Sequence, residues 1–206
     1  MLEIQLQEVS KRFQYEWIFK NLNLILYPGS ALAITGGNGS GKSTLLKCMA
    51  GVIPITSGRI QFILDGKEID DGEKYNYLSL SAPYLEVPEE FTLSELIRFH
   101  FKFKKLLAGI SENDLLEILF LTAHRKKKVA QFSSGMKQRL KLGLAVFSDV
   151  PLVLLDEPTS NLDQKGVQWY QDLISRYQMN RTLLVCSNDP REYEFSTHKI
   201  ALEDYK

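Results

Sequence analysis

No apolar run in this chain approaches the ~20 residues that a membrane-spanning helix needs. The opening stretch Met1-Leu2-Glu3-Ile4-Gln5 lacks the pattern of a secretory signal. Any role at a membrane must therefore come through a partner. An excess of one charge is also missing. The 25 basic residues balance 25 acidic ones, which argues against nucleic acid as the main partner. Cysteine is scarce. Cys48 and Cys186 lack metal-ligand spacing and sit in apolar runs, so buried free thiols are expected, as suits a reducing compartment. The three histidines, His100, His124 and His198, fall where structural or surface roles are expected. Repeats, linkers and low-complexity segments are absent. The 206 residues fit one compact domain with a sizeable core.

What is present is an alternation of strand and helix signals. Residues 2–9 alternate apolar and polar, as a half-buried strand does. Further strands are expected at 22–27, 31–35, 59–64 and 75–80. A helix is expected at 45–50. From 91 to about 128 the pattern turns helical. Thr92 with Glu95, and Ser111 with Asp114, mark two helix starts. Arg125-Lys126-Lys127-Lys128 reads as a solvated loop. The strand pattern returns at 151–155 and 182–186. A helix at 164–178 lies between them, and a last strand is expected at 199–202.

The most specific local feature is Gly36-Gly37-Asn38-Gly39-Ser40-Gly41-Lys42-Ser43-Thr44, a full phosphate-binding loop between a strand and a helix. Its glycines let backbone N–H groups close around phosphate oxygens, and the following helix points its positive end at the same anion. Lys42 can reach the β- and γ-phosphates, and the Ser43 hydroxyl can hold Mg²⁺. A nucleoside triphosphate site follows. The apolar run 152–155 then delivers Asp156 and Glu157 on opposite faces of a strand end. Asp156 suits Mg²⁺, and Glu157 suits a proton acceptor for the attacking water. Between these elements, Phe132-Ser133-Ser134-Gly135-Met136 opens a helix over about 136–147 and offers a second anion site.

In that order, these motifs resemble the nucleotide-binding subunit of ABC transporters, and the likeness spans almost the whole chain. Ser160-Asn161-Leu162-Asp163 is similar to the family's D-loop. Val9-Ser10-Lys11-Arg12-Phe13 is similar to the strand whose aromatic stacks on adenine; Tyr15 and Trp17 are rivals of Phe13. The resemblance implies an α/β fold. It has a P-loop NTPase core with a mostly parallel sheet, an antiparallel β subdomain near the N-terminus and a helical subdomain inserted at about 85–135. It implies two such domains paired head to tail, each ATP lying between one phosphate loop and the other chain's Ser133 and Gly135. It further implies an integral membrane transporter subunit as partner, contacted by the helical insertion on the cytoplasmic face. Substrate choice would lie with that subunit.

The chain departs from the family pattern in places that bear on catalysis. No Gln occurs between Gln61 and Gln131, so the family's metal-facing glutamine is missing; Leu80-Ser81-Ala82-Pro83-Tyr84 stands there. Water would complete the Mg²⁺ shell. Ser187-Asn188-Asp189 stands where the family has a histidine, leaving Asn188 as a neutral donor to the γ-phosphate. Ser134 and Met136 replace the usual Gly and Gln. Two functions remain in view: an ATPase powering transport, and an ATP-gated dimerisation switch with little turnover.

Overall fold

The computed structural model describes residues 1–178 and 180–206. Strands β1 (Leu2–Phe13), β2 (Glu16–Leu26), β4 (Ser57–Leu64) and β5 (Lys67–Glu68) form an antiparallel sheet in the order β2-β1-β4-β5. In β1 the side chains of Leu2, Ile4 and Leu6 are buried, while Glu3, Gln5 and Gln7 reach solvent. The alternation slips at Glu8, whose φ is 49°, and pairing with both neighbours shifts register there. The bulge turns Val9, Ser10 and Lys11 inward. Gly58 makes room for it. A side-chain carbon at Gly58 would lie 2.4 Å from the Glu8 carbonyl oxygen, and its φ of 88° suits glycine.

Strands β3 (Ala31–Thr35), β6 (Leu78–Ser81), β7 (Leu152–Asp156), β8 (Thr182–Cys186) and β9 (His198–Ala201) form a parallel sheet in the order β6-β7-β8-β3-β9. Every residue of β7 and β8 is buried, as in a sheet covered on both faces. Alternate residues feed two cores. Leu152, Leu154 and Leu184 join the one shared with the antiparallel sheet. Val153, Leu155 and Val185 join the one shared with the helices between β6 and β7. Each fully buried leucine contributes about 1.5–3 kcal/mol.

Helix α1 (Lys42–Met49) follows β3. Between β6 and β7 lie α2 (Leu93–His100), α3 (Glu112–Ile118) and α4 (Ser134–Val146). Helix α5 (Gln164–Tyr177) joins β7 to β8. Thr92 with Glu95, and Ser111 with Asp114, form full capping boxes at α2 and α3. The helical stretch is more broken than its pattern suggests, because α2 and α3 are short and 3-10 turns complete it.

Several expected strands are corrected: the one at 2–9 runs on to Phe13, and the one at 22–27 begins at Glu16 and ends at Leu26. The segment at 75–80 becomes strand only at Leu78; Asp71–Tyr77 is a 3-10 turn. Buried Lys74 holds it so, donating to the Ile60 carbonyl at 2.6 Å and pairing with Asp71. The last strand closes at Ala201, and Leu202–Tyr205 forms a further 3-10 turn.

Candidate functional site

The carboxyl ends of β3, β7 and β8 lie side by side, where open parallel sheets place their ligands. The glycine-rich loop leaves β3 there and feeds α1. Gly41 has φ 105°, and a side-chain carbon on it would sit 2.4 Å from Ile18 Cγ2. The chain needs glycine at that point to turn into the helix against β2. Lys42 is only 5% exposed. Its ammonium donates to the carbonyls of Gly36 (2.7 Å) and Gly37 (3.1 Å), so the loop's own backbone holds the charge in place. Asn38, Gly39, Lys42, Ser43, Thr44 and Glu157 line one hollow of ≈ 380 Å³.

Asp156 ends β7 and is 1% exposed. Neither carboxylate oxygen has a hydrogen-bond partner among the described residues. Burial pushes the carboxyl's pKa up; the nearby Ser43 hydroxyl pulls it down, Glu157 adds to the rise, and Lys42 and Lys47 oppose it. Ser43 influences the carboxylate without reaching hydrogen-bond geometry. A buried, unpartnered carboxylate beside a hydroxyl, under a phosphate loop, fits a Mg²⁺ ion, which takes one or two protein oxygens and phosphate oxygens. Glu157 follows at φ 41°, unusual for a non-glycine residue. Its N–H donates to the Cys186 carbonyl at 2.9 Å, which fixes the turn out of β7. The side chain thereby reaches both the phosphate hollow and a second one of ≈ 520 Å³, also lined by Asn38, Ser160 and Asn188.

After β8, the Asn188 amide donates to the Asn38 side-chain oxygen at 3.0 Å. This neutral pair ties the residue in the histidine position to the phosphate loop. Two other residues shape the site without a sequence signal that marked them. Glu192 is buried, and it accepts from both the N–H (2.6 Å) and the hydroxyl of Thr159. Burial raises its pKa. Gln138 on α4 donates to the Pro158 carbonyl at 2.7 Å. Together they hold the turn after Glu157 from two sides.

Other expected site residues stand apart from the phosphate hollow. Ser133 caps α4, accepting from the Met136 N–H, and it is exposed with Ser134. A side-chain carbon at Gly135 would lie 3.3 Å from the Asn161 carbonyl oxygen, so the two turns pack closely. Asp163 caps α5 by accepting from the Gly166 N–H at 2.8 Å. Phe13 is 48% exposed at the end of β1, with the Lys11 ammonium 4.6 Å from its ring centre. Tyr15 is 96% exposed in the adjoining turn.

Where the glutamine is missing, Tyr84 lies against α1. The Lys47 ammonium sits 3.8 Å from its ring centre. Burial and then the Asp156 charge raise the phenol's pKa. The same loop is held from α4, since Lys141 donates to the carbonyls of Ala82 (3.0 Å) and Pro83 (3.2 Å).

A parallel sheet, a phosphate loop opening a helix and a strand-end acid beside it define a P-loop NTPase. The chain belongs to the ABC transporter family, whose profile matches residues 19–160, and is an ATPase of that class. The lantibiotic transport ATP-binding protein SrtF of Streptococcus pyogenes is 31% identical over 195 residues, covering 93% of this chain and 82% of that one. The uncharacterised ABC transporter ATP-binding protein YybJ of Bacillus subtilis (strain 168) is 28% identical over 204 residues, covering 97% and 91%. Among solved structures, the dimeric post-hydrolysis state of the ATP-binding cassette MJ0796, bound to ADP and Pi, superposes with a TM-score of 0.83 at 23% identity, covering 98% and 94%. That likeness concerns the fold.

Proposed function

We propose that this chain powers a membrane transporter by ATP-driven pairing with a second nucleotide-binding chain, followed by hydrolysis. One observation carries the reading. Lys42, Ser43, Asn38 and Glu157 line one hollow beside Asp156, while Ser133 opens to solvent elsewhere at the start of α4. Each chain thus offers a phosphate cradle and, apart from it, a separate set of anion donors. A head-to-tail pair brings one to the other and completes two sites.

In that pair, loop N–H groups and Lys42 neutralise phosphate oxygens. Phe13 offers a stacking face for the base. Ser43 and Asp156 would hold Mg²⁺, which spreads the charge developing on the β- and γ-phosphate oxygens. Glu157 accepts a proton from the attacking water. Asn188 donates to a γ-phosphate oxygen, and Ser133 and Gly135 of the facing chain close the site. Asp163 supports the turn that meets that chain.

Among the described residues, no helix is long and apolar enough to cross a membrane. The transporter reading therefore needs a membrane-embedded partner, with this chain on the cytoplasmic face. A hollow of ≈ 350 Å³ lined by Leu78, Leu80, Leu85, Val87 and Leu144 suits a short apolar segment of that partner. It lies beside the loop that Lys47 and Lys141 hold, so docking there bears on both α1 and α4.

The test is metal-dependent phosphate release by the chain together with its membrane partner. Glu157→Gln should cut turnover by ~10²–10⁴ while ATP still binds, and dimers should accumulate in light scattering. The switch reading is favoured by the uncharged Asn188–Asn38 pair. It wins if the parent closes into ATP-bound dimers and releases no phosphate.

A further inference from the structure

The segment after the last strand returns to the phosphate loop. β9 pairs in parallel with β3, Ala201 opposite Thr35, so the residues after each strand must lie alongside one another. Leu202 is buried near one end of the loop; a side-chain carbon at Gly41 would lie 3.4 Å from its Cδ2. Glu203 reaches the other end. The Gly37 N–H donates to Glu203 Oε1 at 2.7 Å. The same peptides are gripped from another side, because Lys42 donates to the carbonyls of Gly36 and Gly37. Carboxylate on the N–H and ammonium on the carbonyls polarise one backbone segment in the same sense.

We infer that Glu203 is a positioning residue for nucleotide binding, acting through the Gly36–Gly37 backbone. The inference rests on the reading that the hollow takes a triphosphate. When phosphate arrives, the Lys42 ammonium, which has three donors and spends two on these carbonyls, must share itself between carbonyls and phosphate, and its grip on the loop loosens. Consecutive glycines loosened in that way have the widest backbone freedom of any residues, so keeping them in one conformation is costly. Glu203 keeps the segment ordered through the exchange. A charge-assisted bond to a backbone N–H is strong enough to do so. Loop order present before binding appears as affinity.

The experiment is titration of the parent, Glu203→Ala and Glu203→Gln with a fluorescent ATP analogue, alongside melting of the nucleotide-free chains. Glu203→Ala should weaken binding about tenfold, equivalent to ~1.4 kcal/mol. Glu203→Gln keeps an acceptor oxygen but loses the charge, so its affinity should fall between those of the parent and Glu203→Ala. All three should melt alike without nucleotide, and steady-state KM should rise in Glu203→Ala with kcat unchanged. Unchanged affinity in Glu203→Ala overturns the inference. So does tighter binding by both variants, which would make the carboxylate a repulsive charge, or an equal loss in both. A parent that does not bind nucleotide overturns this inference and the function on which it rests.

Discussion

At the scale of single residues, Asp156 is a costly side chain to bury. A buried carboxylate whose two oxygens have no hydrogen-bond partner among the described residues is held against its own solvation. Its raised pKa fixes the sign of a stability effect. A carboxyl whose folded pKa lies above its unfolded value favours folding below the unfolded pKa of ~3.9 and loses that contribution as pH rises through the folded one. Asp156→Asn stays neutral throughout. The variant should therefore be more stable than the parent near neutral pH in chelator, and the gain should vanish towards pH ~4. Urea unfolding at the two pH values checks this. A gain that persists in acid would locate its cause in packing instead of charge. The same variant should lose the Mg²⁺ dependence of nucleotide binding, an example of stability exchanged for function.

At the scale of elements, the bulge in β1 sets where the strand's inner face points, and Gly58 on β4 sets whether the bulge fits. Gly58→Ala would drive a carbon against two backbone carbonyls and hold alanine at positive φ. A loss of about 2 kcal/mol or more is expected, read from the urea midpoint. Nucleotide affinity of the folded fraction should not change. Elements also show what the sequence could disclose. β3 and β8 occupy the residues their apolar runs mark, and both capping boxes form where their spacing puts them, because these signals are local. β6 starts later than its apolar pattern suggests because Lys74 is tied to β4, a contact that no window around residue 75 contains. The phosphate loop is legible for the same local reason. Glu192 on Thr159, Gln138 on Pro158 and Glu203 on Gly37 are not legible, because each pair meets only after the parallel sheet has ordered its strands.

At the scale of the whole molecule, the question is how half-sites combine. Lys42→Ala removes the charge of the phosphate cradle, and Ser133→Arg places bulk on the exposed donor set. If sites are built head to tail, each variant alone should be inactive. A mixture should regain activity, because one site of the mixed pair draws its cradle from the Ser133→Arg chain and its donors from the Lys42→Ala chain. Phosphate release measured while the mixing ratio is varied should peak near equal amounts. A mixture as silent as its components would mean that each chain builds its site alone.

The two thiols give the molecule a built-in record of its own motion. Burial pushes the Cys48 thiol up to about 11 and the Cys186 thiol well above its usual range, so neither is reactive while the fold is closed. Cys186 lies beneath the first residue of α1, its Sγ donating to the Lys42 carbonyl at 3.7 Å. A thiol reagent gains access to it when α1 lifts from the sheet. Its modification rate therefore counts openings of the phosphate cradle, with no label added to the protein. Any nucleotide that seats there should slow that count, whether or not it is ever cleaved.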